Sequence, residues 1–133
     1  MTHVSRKRLE KETEEVLYKA LTAIFSNLSF QEVRYLTTTL LTKTEKLMLM
    51  KRLGILYLLQ EGKSQEEIAK ALKTTRQTVA RIQLQLLTIP EEDKKFVLDK
   101  LSSWKNFTLF KNVLIKTATW SIKKVLRASV GKP

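Results

Sequence analysis

The chain has 133 residues, 43% of them hydrophobic, enough for one domain with a real core, and its 3 Gly and 2 Pro leave few turn formers, which points to an all-α fold. A net charge of +12 fits either a polyanion partner, nucleic acid ahead of an anionic membrane surface, or a merely soluble basic surface. With no cysteine, and His3 as the single histidine, no disulfide, metal site or histidine-based catalytic dyad is expected.

The charge is uneven. Met1 to Leu40 carries 6 basic and 5 acidic residues, whereas Lys100 to Lys132 carries 8 basic residues and no acidic one. The N-terminal stretch MTHVSRKRLEKETEE is charged where a signal peptide needs an apolar run. The strongly apolar stretch Leu53–Leu59 is too short to span a bilayer. A soluble, cytoplasmic and nucleoid-associated protein is expected, with no membrane span.

In chain order, Leu9, Val16, Leu17, Ala20, Leu21, Ile24 and Phe25 follow helical spacing and predict a long helix from about Ser5 to Asn27. Ser29 with Glu32 has the spacing of a capping box and opens a helix from Phe30 to about Leu40. Thr42 with Glu45 repeats the signal and opens Lys43 to Glu61, which is apolar on nearly every face. A helix of that kind must be surrounded, and a chain this small predicts that a partner subunit does part of the covering. Gly62 fits the residue just past the helix end.

Ser64 with Glu67 is a third capping box, opening a short helix Gln65–Leu72. Lys73-Thr74 reads as a turn, and Thr75 as the cap of a helix from Arg76 to about Thr88. Ile89-Pro90 stops that helix, and Pro90 with Glu91, Glu92 and Asp93 opens another to about Trp104. From Phe107 to Arg127, apolar residues at helical spacing oppose Lys116, Lys123, Lys124 and Arg127; β-branched content keeps a strand as the alternative.

The segment QEEIAKALKTTRQTVARI, Gln65 to Ile82, matches a helix-turn-helix. Ile68 and Leu72 on its first helix face Val79 and Ile82 on its second, and Ala69 stands where the helices approach most closely. The turn usually carries glycine where this chain has Lys73, so Lys73 is expected at positive φ at a cost of about 1 kcal/mol. At the start of the second helix, Thr75, Arg76, Gln77 and Thr78 have the chemistry of a major-groove reader, with Arg81 further along. Lys63, Ser64 and Gln65 are candidates for phosphate, and Lys73 puts a cation beside the DNA backbone. Glu66 and Glu67 must then face elsewhere or act as caps.

The run LTKTEKLMLMKRLGILYLLQEGKSQEEIAKALKTTRQTVARI, Leu41 to Ile82, resembles the Trp repressor superfamily, and the resemblance extends over about Ser5 to Leu87. It implies an all-helical, intertwined homodimer whose paired reading helices enter successive major grooves of double-stranded DNA. It also implies an effector pocket, because Thr42, Arg52 and Arg81 match residue types that hold tryptophan in responsive members. Ile82 stands where those members have glycine, and the link from Arg52 to the motif is one residue shorter. Tryptophan as corepressor is therefore the less favoured reading, and no other cofactor is expected.

The expected organisation is a Trp repressor-like helical domain over 1–89, with a basic helical extension over 90–133 packed on it. The expected function is a homodimeric, sequence-specific transcription regulator, a repressor. The alternatives are a nonspecific or architectural DNA-binding protein and a helix-turn-helix protein-interaction module. No nucleophile–base pair, metal cluster or phosphate loop supports an enzyme.

Overall fold

The computed structural model describes residues 7–117, and these are all-helical, with seven helices and no strand among them. The helices are α1 (Lys11–Ile24), α2 (Phe30–Leu40), α3 (Lys43–Gln60), α4 (Gln65–Ala71), α5 (Arg76–Leu87), α6 (Glu91–Ser102) and α7 (residues 107–117). The strand alternative for the segment after Phe107 is overturned as far as 117, and the remainder of that segment lies outside the described residues. Two compact units divide the chain, residues 1–49 and 50–133, and α3 runs through the division.

The first unit holds α1, α2 and the start of α3. The helix α1 begins at Lys11, later than the apolar spacing indicates, because residues 8–10 supply no side-chain cap and Arg8 would stand at the positive end of the helix dipole. It stops at Ile24, short of Asn27, which adopts φ 53 and cannot continue a right-handed helix. Ser29 accepts from the Glu32 amide at 3.2 Å while the Glu32 carboxylate accepts from the Ser29 amide at 3.0 Å, closing the expected box. No described residue of this unit is buried. Val16, Leu17, Leu21 and Ile24 on α1 and Leu47, Leu49 and Met50 on α3 are all exposed.

The second unit holds the core. Ile55 and Leu58 of α3, Ile68 of α4 and Val79 of α5 are fully buried, each worth about 1.5–3 kcal/mol of apolar transfer. Tyr57, Ala69 and Leu101 complete the buried cluster. Gly54 allows α3 and α4 this approach: a Cβ there would meet both Leu72 methyl groups at 3.1 Å. The helix α7 joins the same core through Phe107, Phe110, Leu114 and Ile115. Phe107 and Phe110 meet the Tyr57 ring edge-on at centroid distances of 5.9 and 5.3 Å.

Candidate nucleic-acid interface

Short local signals build the two helices of the motif. Ser64 caps α4: its hydroxyl accepts from the Glu67 amide at 3.1 Å, and the Glu67 carboxylate accepts from the Ser64 amide at 3.2 Å. Glu67 is thus a capping group, and Glu66 pairs with Lys70 one turn on at 3.5 Å. Both carboxylates are engaged within α4, as a surface for phosphate requires. Ser64 itself is exposed, and its hydroxyl makes no donor bond among the described residues.

The turn between the helices follows from Lys73, whose φ is 54. The left-handed residue lets the Thr74 amide donate back to the Ala69 carbonyl at 2.9 Å, which closes the end of α4. Lys51 of α3 donates from Nζ to the Lys73 carbonyl at 3.1 Å, tying the turn to the central helix. The neighbouring Leu72 is seated against Gly54. The entry angle of α5 is therefore held at two adjacent points.

Thr75 caps α5. Its hydroxyl accepts from the Thr78 amide at 3.0 Å and donates to the Thr78 hydroxyl at 2.9 Å. Both threonines are bound up in the cap. Arg76, Gln77 and Arg81 are exposed and make no side-chain hydrogen bond or ion pair among the described residues. Beneath them Val79 is fully buried against Ile68 and Ala69, and Ile82 packs on the same core. The exposed and buried faces of α5 are thus separated as a groove-reading helix needs.

The remaining candidates divide. Lys63 is half-buried and Lys73 is exposed, both at the ends of α4. The Gln65 amide donates to the Gln83 carbonyl oxygen at 2.9 Å, so its side chain ties α4 to α5. Of the three effector-pocket candidates, Thr42 serves as the cap of α3, accepting from the Glu45 amide at 3.1 Å while its own amide donates to the Glu45 carboxylate at 2.8 Å. The Thr42 backbone bond, and secondarily its hydroxyl, hold the Glu45 carboxyl below the ordinary carboxylate range. Arg52 donates from Nη2 to the Gln85 side chain at 3.3 Å, and Arg81 is exposed on α5.

Several of these contacts have no sequence signature. Lys51 with Lys73, Arg52 with Gln85, Gln65 with Gln83 and Tyr57 with Phe107 join residues 18 to 50 positions apart. Tyr57 is 3% exposed, and its hydroxyl makes no hydrogen bond of good geometry. Burial pushes the phenol up to about 12, with the nearby Glu61 carboxylate adding to the shift.

No metal-holding group of His, Cys, Asp or Glu occurs among the described residues, and no described helix is long and apolar enough to cross a membrane. Fold and motif together define an all-helical helix-turn-helix protein of the kind that regulates transcription on DNA. The model of the family described as Trp repressor protein matches residues 15–102, and the chain belongs to that family. Neither curated proteins nor solved structures gave a match. The family match ends at the last residue of α6, so α7 lies beyond it.

Proposed function

We propose that the protein is a sequence-specific DNA-binding repressor of transcription that acts as a homodimer. The observation that carries this reading is the state of Arg76, Gln77 and Arg81: long polar side chains, exposed and uncommitted, on a helix whose other face is locked into the core. Arg pairs in bidentate fashion with guanine and Gln with adenine, and the Thr78 hydroxyl reaches a base edge or phosphate. Lys63, the Ser64 hydroxyl and Lys73 contact phosphate, Gln65 by its position at the start of α4 and Thr75 by its position at the start of α5.

Homodimerisation is supported by the first unit. Val16, Leu17, Leu21 and Ile24 on α1 and Leu47 and Leu49 on α3 are exposed, and exposed apolar side chains in this number suit a subunit interface. An intertwined dimer covers the exposed half of α3 and presents two reading helices at once. Such a protein acts in the cytoplasm on the nucleoid and has no enzymatic role.

DNA binding without tryptophan is the reading that Ile82 and Arg52 favour. Ile82 occupies core space beside Arg81, and the Arg52 guanidinium is bonded to Gln85. The test of the whole reading is the pair Arg76→Ala and Gln77→Ala in one chain. Loss of the preference for a selected duplex over a random one, with the dimer intact, is expected. Unchanged preference would remove α5 as the reader and leave the architectural or protein-interaction reading.

A further inference from the structure

We propose that α7 is a second DNA-contacting element, a basic arm that holds backbone phosphates flanking the site read by α5. This rests on the DNA-binding reading above, and it assigns a role to a helix beyond the family match. Three observations carry it.

The first is chemistry. No acidic residue follows Asp99 anywhere in the sequence. Lys105, Lys111 and Lys116 are exposed and have no ion-pair partner among the described residues. By contrast, two of the three lysines of α6 are neutralised locally, Lys94 by Glu91 and Lys95 by Asp99, each at 2.8 Å, while Lys100 lies over the Phe96 ring. Uncommitted lysines on one helix and the turn that leads into it are a phosphate-binding chemistry.

The second is rigidity. The helix is docked rather than trailing, because Phe107 and Phe110 pack edge-on against buried Tyr57 and Leu114 and Ile115 join the core. Lys111 and Lys116 are therefore carried at fixed places, and ordering the backbone of α7 costs nothing further on binding.

The third is place. Phe107 and Gln83 line one groove together with the carboxylates of Glu61, Glu91 and Asp99, so the phosphate-facing side of α7 is the one outside that groove, and Gln83 accepts from Gln65 in the first turn of α4. The start of α7 thus lies on the flank of the motif where α4 begins, the end assigned above to phosphate. Leu109 and Val113 are also exposed on α7, so an anionic membrane is the competing partner for the same helix.

The test compares the full-length chain with a Lys105→Gln, Lys111→Gln, Lys116→Gln variant, on a selected duplex and on a random duplex, across a salt series. The expected result is a shallower slope of log affinity against log salt, by about 0.9 for each phosphate that the variant no longer neutralises. The ratio of the two affinities is expected to stay constant, because phosphate contacts carry no sequence information. Lys116→Glu alone gives a second variant should the triple change impair folding, and it is expected to weaken both duplexes equally. An unchanged slope in both variants overturns the proposal. So does an unchanged slope with loss of binding to phosphatidylglycerol vesicles, which would assign α7 to membranes. If the unmodified chain has no duplex preference, the repressor reading fails instead, and the slope on the random duplex still judges α7.

Discussion

Replacing Tyr57 by Phe should stabilise the protein, although Tyr57 is among its most buried residues. The ring makes edge-on contacts with Phe107 and Phe110, and Phe keeps both. What is removed is a buried hydroxyl without a hydrogen bond of good geometry. Leaving such a group unsatisfied costs about 1–3 kcal/mol, so Tyr57→Phe should gain on the order of 1 kcal/mol at neutral pH. That corresponds to a rise in Tm of about 3–6 °C for a chain of this size. The phenol also sets a pH dependence. Its folded value, raised to about 12 from 10.0, means that the neutral form is favoured by folding. The associated stability is fully present below pH 10 and is lost as pH rises through 12, at about 1.4 kcal/mol per unit within that window. Denaturant unfolding of both proteins between pH 7 and pH 11 reads this directly, since the exposed Tyr18 and Tyr35 are common to both. The variant's advantage should widen above pH 10. A variant less stable than the parent at pH 7, or a gap that stays flat with pH, would refute the reasoning and show that the hydroxyl is satisfied.

Ile68→Ala, at a fully buried site between α3 and α5, should cost about 2–5 kcal/mol in chemical denaturation and abolish DNA binding only through unfolding. Thr75→Ala removes the cap of α5 and should cost about 1 kcal/mol, whereas Thr75→Ser should restore most of it. Gly54→Val adds a side chain where even a Cβ meets Leu72 at 3.1 Å, and should destabilise by about 1–3 kcal/mol as read by Tm. Adding tryptophan should leave DNA affinity unchanged and give no heat in calorimetry, given Ile82 in the core and Arg52 on Gln85.

The elements most legible in the sequence were those fixed by neighbours three or four residues apart. Ser29 with Glu32, Thr42 with Glu45 and Ser64 with Glu67 each form the box that the spacing specifies, so the starts of α2, α3 and α4 were readable to the residue. Lys73 at φ 54 was readable too, because the turn geometry is stronger than the preference of lysine for negative φ. The ends of α1 were not, since apolar spacing continues past the point where caps and backbone conformation stop the helix. The braces around the motif were invisible for a different reason. A lysine at 51 bonding a carbonyl at 73, or a glycine at 54 receiving Leu72, depends on how helices cross, and no local pattern encodes a crossing. Residues that pack the motif are more legible than residues that read DNA, because burial constrains type and an exposed Arg76 or Gln77 is constrained only by its partner.

The central claim is that α5 reads base edges from a symmetric pair of subunits. Selection of bound sequences from a random duplex pool tests it most directly. The expected result is an enriched motif of two inverted half-sites, centred about one helical turn or a multiple of it apart, lost when Arg76 and Gln77 are both changed to Ala. A pool that remains random after repeated selection by the unmodified protein would contradict it.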